Sequence, residues 1–207
     1  MKSACLVLTL FFSAISFGQT GVSEAVNSFY EDLISNIINK DTVVKQMTKY
    51  YKCSETLSGT VDFFYKESTL KLIRHTYKQG VYGDLERELY YMDEEGIRMY
   101  ITFSEITDFK SFSFEDDQEQ IATTKKILEV TESRIFFEKK AIVNCYERKH
   151  SEDATDWNQK YFDTLKFVNK ECDEDLADIY NKYRILCKAE KNLRNAHGKK
   201  PCIFHIW

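Results

Sequence analysis

The chain has 207 residues, of which 43% are hydrophobic and 14% aromatic, with only seven glycines and one proline. This composition excludes a disordered, fibrous or low-complexity protein, and the length fits one domain. A formal net charge of -4 gives no general attraction to phosphate backbones, so we expect no nucleic-acid partner.

Residues 1–18 have the pattern of a secretory signal peptide. Lys2 supplies a positive charge, and the uncharged apolar stretch after it has about a dozen residues, which is too short to span a bilayer. Ser16 and Gly18 are the small residues before a cleavage site that we place at Gln19. Signal peptides of secreted Gram-negative bacterial proteins are similar in this ending. We expect a secreted or periplasmic protein with no membrane span in its mature chain; an uncleaved N-terminal anchor is the alternative.

Residues 19–207 are predicted to form a single α+β domain, beginning with a helical region over residues 22–52. Apolar residues recur every three or four positions from Val22 to Asn39, as on one face of an amphipathic helix. Asp41 is a plausible N-cap for a second, short helix that ends at Lys52.

Residues 60–148 contain one pattern three times, and this pattern predicts β-hairpins. An aromatic pair is followed by a polar turn and a second apolar run, beginning near Phe63, Leu89 and Ile135. Three successive hairpins predict an antiparallel β-meander of about six strands. Residues 104–129, between the second and third hairpins, are interpreted as an insertion whose acidic run is a solvated loop, because a calcium loop needs a different spacing and a glycine turn.

The central repeat, LKLIRHTYKQGVYGDLERELYYMDEEGIRMYITF, resembles a group of uncharacterised secreted bacterial proteins. These proteins contain a β-meander of Tyr-Tyr-x-x-Gly-x-Leu-like hairpin repeats with flanking helices. The resemblance covers the chain from about Thr60 to Arg148 and implies a fold but no activity. Only the central repeat has a turn glycine, Gly96; Ser68 and Lys140 stand near its place in the outer repeats.

Residues 153–195 have apolar side chains at helical spacing without glycine or proline, which predicts one long helix packed on the sheet. Acidic residues cluster near its start and basic residues near its end, as the helix dipole favours. Residues 196–207 are expected to form a tail.

The cysteines of an exported protein are read first as disulfide partners. Removing the signal peptide takes away Cys5 and leaves an odd number, so one thiol is expected to stay free. We predict a bridge between Cys187 and Cys202, because a helix end and a proline turn separate them. Cys172 faces the sheet and can reach either Cys145 or Cys53.

Motifs for catalysis or metal binding are missing from the sequence. His197, Cys202 and His205, with Cys187 nearby, do not match a recognised zinc spacing, so we expect no metal and no cofactor. There is no Gly-x-Ser-x-Gly elbow, no phosphate loop and no His-Glu-x-x-His motif. His75 is interpreted as a partly exposed sheet residue, and the protein as more consistent with a binding module than with an enzyme.

Four tyrosines of the hairpin region are the candidate binding residues, since tyrosine gives a large contact area with a polar tip. They are Tyr77, Tyr90, Tyr100 and Tyr146. The alternative is that the flanking helices cover the sheet face on which they lie.

The leading interpretation is a non-enzymatic module that binds a protein or envelope component through the sheet face or the insertion. A deep cleft with a buried acid–base pair would contradict it. Two alternatives are a small-ligand β-barrel of lipocalin type and an envelope-polymer hydrolase with an unrecognised carboxylate or histidine site.

Overall fold

The computed structural model describes residues 21–80, 83–116, 119–193 and 202–203. The predicted signal peptide lies outside the described residues, as does the predicted tail apart from residues 202–203. Within the described part of the chain, no helix is long and apolar enough to cross a membrane.

The fold is an antiparallel sheet of eight strands with helices on both faces. In the described residues three helices accompany it: α1 over residues 21–38, α2 over Gln159–Thr164 and α3 over Leu176–Asn192. The strands are β1 (Val44–Lys52), β2 (Ser58–Lys66), β3 (Thr69–Gln79), β4 (Asp84–Asp93), β5 (Gly96–Asp116), β6 (Glu119–Glu138), β7 (Ala141–Asp153) and β8 (Val168–Asn169).

Each strand pairs with the next one along the chain, so the sheet order is β1 to β8. The predicted α+β class and the antiparallel meander are confirmed, but the expected count of about six strands is wrong. Because β1 and β8 form the two edges of an open sheet among the described residues, a closed barrel of lipocalin type does not describe this fold.

The three predicted hairpins are the β2–β3, β4–β5 and β6–β7 pairs. The outer two have two-residue turns in which both residues have positive φ: Glu67 (53°) and Ser68 (65°), then Lys139 (48°) and Lys140 (68°). This backbone is that of a type I′ turn, which matches the twist of the flanking strands. The outer turns therefore adopt, without glycine, a conformation that glycine or asparagine usually supplies.

The repeated aromatic pairs supply one ring to each face of the sheet. Phe63 packs in the core between the sheet and α3, whereas its neighbour Phe64 packs in the core beneath α1. Phe137 and Phe136 divide in the same way, since adjacent side chains of a strand point to opposite faces. The flanking helices thus cover both faces.

A turn and strand β1 occupy residues 41–52, where a short helix was predicted. Oδ1 of Asp41 accepts a hydrogen bond from the backbone N–H of Val43, an Asx turn that leads into β1. The β-branched and aromatic residues that follow pair with β2 from Val44 to Lys52. Tertiary pairing and strand propensity together override the helix-like N-cap.

Residues 153–195 do not form one long helix. The short helix α2 fills a separate small core with Phe162, and β8 then pairs with β7 before α3 begins after its N-cap, Asp175. The backbone N–H of Lys170 also donates to the carbonyl of Cys145, next to a disulfide that joins Cys145 to Cys172. These links hold residues 168–172 against the sheet in an extended form, so the helical spacing there is coincidental.

The disulfide predicted between Cys187 and Cys202 is wrong, because Cys202 is bonded to Cys53. Cys202 therefore lies at the β1–β2 corner, and Ile203 packs in the core under α3. Cys172 is bonded to Cys145, one of its two expected partners, and Cys187 is the free thiol of the described residues. Both bridges are compatible with an extracellular protein.

The region 104–129, predicted as an insertion, lies in its described residues within the two longest strands of the sheet. Strand β5 pairs with β4 only as far as Glu105, and β7 joins β6 at Ile127, yet β5 and β6 stay paired out to Asp116 and Glu119. The described residues between 106 and 126 therefore form a two-stranded arm. Ile106 and Phe109 on this arm are 44% and 47% exposed.

Ser68→Gly should stabilise the protein, because glycine removes the strain of a left-handed backbone. We expect the free energy of unfolding to rise by about 0.5–1 kcal/mol after the entropic cost of glycine is subtracted. Urea unfolding measures the change. Thr69→Gly, next door in β3, is the matched control and should be destabilising; equal effects of the two changes would contradict the type I′ turn.

Candidate functional site

Five polar side chains from four strands and α3 meet under the helix in a group that we call the buried network. Tyr51 Oη lies 2.7 Å from His75 Nε2, and His75 Nδ1 lies 3.4 Å from Glu88 Oε2. The other carboxylate oxygen of Glu88 accepts hydrogen bonds from the Tyr100 hydroxyl at 3.1 Å and from Lys182 Nζ at 3.2 Å. A continuous chain of hydrogen bonds thus links β1, β3, β4, β5 and α3.

The sheet register and one glycine bring this network together. His75 of β3 is directly opposite Glu88 of β4. A Cβ on Gly59 of β2 would lie 2.7 Å from Tyr51 Oη and 2.6 Å from the carbonyl oxygen of Thr76. Only glycine at this position leaves room for the Tyr51 ring to cross β2 and reach His75.

The charges of the network stabilise one another. Burial alone would raise the pKa of Glu88, but hydrogen bonds from His75 and Lys182 and the charge of Lys182 bring that pKa below its ordinary value. Burial likewise opposes the charged form of Lys182, yet the carboxylates of Glu88 and Asp178 raise its pKa overall. The buried Glu88 is therefore held as a carboxylate.

The tyrosines of the network are neutral donors. Burial, followed by the charge of Tyr77 and then of Glu88, raises the pKa of Tyr51 well above its ordinary value. Burial, followed by the Glu88 charge, does the same for Tyr100. In the tautomer with a proton on Nδ1, His75 donates to Glu88 and accepts from the Tyr51 hydroxyl.

A cavity of about 150 Å³ lies between α3 and the sheet, beside the network. Its apolar wall comes from the β1–β2 turn, α3 and the segment at residues 202–203, and its polar floor comes from β3 and β4. The Cys53–Cys202 bridge holds Ile203 in this wall. The lining residues are Leu57, His75, Tyr77, Gln79, Glu88, Lys182, Ile185, Leu186 and Ile203.

Three of the four candidate binding tyrosines lie on this side of the sheet, but only one lines the cavity. Tyr77 lines it, and burial followed by the charge of Glu88 raises its pKa to about 12. Tyr90 and Tyr100 are 0% and 4% exposed beneath α3, so they have no surface for a partner. Tyr146 lies on the opposite face, 5.7 Å from the ring of Phe136. For Tyr90 and Tyr100, the alternative that a flanking helix covers their sheet face therefore describes the structure.

His75 is buried, not partly exposed as predicted, because it shares a sheet face with Ile73 in the core under α3. Sequence reasoning also missed Tyr51, Glu88 and Lys182. The alternation of side chains between the two faces of β3 was the signal that could have predicted a buried His75. No local sequence pattern indicates the partners of His75, because Tyr51 lies 24 residues before it and Glu88 lies 13 residues after it.

Glu86 lies two residues before Glu88 on the same face of β4. Burial raises the pKa of Glu86 above its ordinary value, although a 2.8 Å hydrogen bond from the Ser104 hydroxyl acts in the opposite direction. The pKa values of two neighbouring carboxyl groups are thus shifted in opposite directions. This is a feature that catalytic carboxyl pairs also have.

The residues considered above as zinc ligands do not form a site among the described residues. Cys202 is in a disulfide, and His197 and His205 lie outside the described part of the chain. Within that part, no group of three or more His, Cys, Asp and Glu side chains is arranged to hold a metal ion.

Comparison of the chain with family models, with curated proteins and with solved structures gives no significant match. The resemblance to secreted bacterial proteins with hairpin repeats therefore stays a prediction. The chemistry of the network and its cavity is the basis for the function proposed below.

Glu88→Gln should destabilise the protein at pH 7 by about 1–3 kcal/mol, because it removes a buried charge partner of His75 and Lys182. Since the pKa of Glu88 is lowered by folding, the carboxylate stabilises the protein above the ordinary glutamate pKa of about 4.3. That contribution is lost as the pH falls through the lower pKa of the folded state. The difference in unfolding free energy between the parent and the variant should therefore shrink below about pH 4.

Urea unfolding at several pH values measures this dependence. Glu94→Gln, in the exposed β4–β5 turn, is the matched control and should leave the stability nearly unchanged at every pH. A deficit for Glu88→Gln that stays constant down to pH 3 would contradict the lowered pKa.

Proposed function

We propose that the protein is a non-enzymatic binding module for an exported protein or an envelope component, and that the cavity under α3 receives an apolar group of that ligand. The observation that supports this proposal is the combination of an apolar wall with a polar floor. Leu57, Ile185, Leu186 and Ile203 form the wall, and Lys182 and Tyr77 stand beside it. Such a composition is typical of binding pockets.

The size of the cavity limits what it receives. A space of about 150 Å³ holds a group of the size of a benzene ring. The occupant is therefore an aromatic or branched aliphatic group of a larger ligand, and the rest of the ligand lies outside. Lys182, whose side chain is 42% exposed, and Tyr77 are placed to contact its polar parts.

Binding agrees with the state of the buried network better than turnover does. The His75 ring nitrogens and both Glu88 oxygens are already taken up by partners within the protein. Tyr51 is only 2% exposed and its raised pKa makes it a poor nucleophile. A catalytic group needs contact with a substrate, which these side chains lack in this arrangement.

Toluene is a suitable probe of the cavity, because it matches its size and apolar wall. We expect toluene to shift the backbone amide NMR signals of Ile185, Leu186 and Ile203, with saturation at millimolar concentration. Leu57→Trp, which places a larger ring in the wall, should abolish these shifts without unfolding the protein.

Ile38→Trp is the matched control for this experiment. Ile38 is 72% exposed on α1, on the other side of the sheet, so its replacement should leave toluene binding unchanged. No toluene-dependent shift at α3 in the parent protein, or equal shifts in the parent and in Leu57→Trp, would contradict the proposal.

A second candidate function is hydrolysis of an envelope polymer, which the opposite pKa shifts of Glu86 and Glu88 favour. Glu86, with its raised pKa, would donate the proton to the leaving group. Glu88, held as a carboxylate, would act as the base or nucleophile, for which it would have to exchange one of its present hydrogen bonds for contact with the substrate.

Release of soluble fragments from purified peptidoglycan tests this second function. If it holds, Glu86→Gln and Glu88→Gln should each lower the rate by about 100-fold or more, whereas Glu94→Gln should not. No release by the parent protein, or release unaffected by these two substitutions, would contradict hydrolysis by this pair and leave the binding module as the function.

A further inference from the structure

A second cleft lies on the opposite face of the sheet, between α1 and α2. Its volume is about 370 Å³, and its floor is formed by strands β3 to β7. The side chains that line it are both charged and apolar. They are Tyr30, Ile34, Arg74, Arg87, Leu89, Ile101, Phe103, Glu105, Glu132, Arg148, Gln159 and Asp163.

Most of the charged side chains in this cleft are already paired. Arg74 donates to Asp62 at 2.8 Å, and Arg148 donates to Glu132 and lies near Asp163. Arg87 and Glu105 differ from them. Neither side chain has an ion pair or a hydrogen bond within the described part of the protein, and both are half-buried.

The sheet register places these two groups near each other on the same face. Arg87 of β4 is opposite Phe103 of β5, and Glu105 follows two residues later on β5. Diagonal neighbours of this kind are about 7–8 Å apart at the backbone. The two charges are farther apart than the 4 Å of an ion pair, and the Arg87 guanidinium lies 4.9 Å from the centre of the Phe103 ring.

We propose that this cleft binds a free α-amino acid with an apolar side chain. Arg87 binds the carboxylate, because a guanidinium presents paired donors that match carboxylate geometry. Glu105 binds the ammonium group. The apolar side chain of the ligand lies against Leu89, Ile101 and Phe103.

A zwitterion fits the charge balance of the cleft better than a simple anion does. Arginines and carboxylates occur in equal numbers among its lining residues: Arg74, Arg87 and Arg148 against Glu105, Glu132 and Asp163. A phosphate bound to Arg87 would leave Glu105 as a nearby like charge. A ligand with one positive and one negative group neutralises both unpaired side chains at once.

Calorimetric titration of the full chain with L-phenylalanine, L-leucine and L-methionine tests the proposal. We expect binding of at least one of them. Arg87→Gln and Glu105→Gln should each weaken it about tenfold or more, because each loses a charge-assisted contact. Both variants should fold normally, since neither residue has a polar partner within the described part of the protein; their unfolding curves check this point.

Two analogues of phenylalanine test which residue binds which charged group of the ligand. N-acetyl-L-phenylalanine lacks the ammonium group, so the parent should bind it weakly and Glu105→Gln should bind it as well as it binds phenylalanine. Phenylalaninamide lacks the carboxylate, so the parent should bind it weakly and Arg87→Gln should bind it as well as it binds phenylalanine. Leu57→Trp, which alters the other cavity, should bind phenylalanine like the parent, so this test is independent of the proposed function.

No detectable binding of the three amino acids at millimolar concentration would overturn the proposal. Equal binding of phenylalanine and both analogues would also overturn it, because it would mean that the ring alone is recognised. Binding of inorganic phosphate that competes with the amino acid and survives Glu105→Gln would indicate a simple anion site instead.

Discussion

The pleat of a β-strand sends neighbouring side chains to opposite faces, and both cores of this protein depend on that constraint. Phe63 and Phe64 are adjacent in the chain yet belong to different cores, one under α3 and one under α1. A sheet with aromatic side chains on both faces has to be covered on both. The cavity beside α3 and the cleft between α1 and α2 lie under these covering helices, one on each face of the sheet.

Charged side chains are stabilised in different ways on the two faces of the sheet. Under α3, one carboxylate, Glu88, is surrounded by donors from two strands and the helix, so removing a partner would weaken the compensation of a buried charge. On the face that carries α1 and α2, guanidinium groups lie over aromatic rings, as Arg74 lies over Phe64 and Arg148 over Phe162.

Sequence patterns predicted the hairpins because a turn and its flanking strands are local signals. The turns at Ser68, Gly96 and Lys140 were all located in this way. Partners distant in the chain leave no such signal: the pairing of Cys202 with Cys53, the extended segment before α3 and the contact of Tyr51 with His75 all depend on tertiary packing. The candidate tyrosines all lie in strands, but which of them remain accessible depends on where α3 lies.

The bridge between Cys53 and Cys202 spans 149 residues and joins the end of β1 to a segment beyond α3. Ile203, the next residue, completes the wall of the cavity under α3. The disulfide therefore fixes one piece of the pocket wall next to the β1–β2 corner. Because the bridge holds Ile203 in place, a chain whose disulfide is reduced would have an incomplete pocket wall, so the redox state of two cysteines outside the pocket would control its shape.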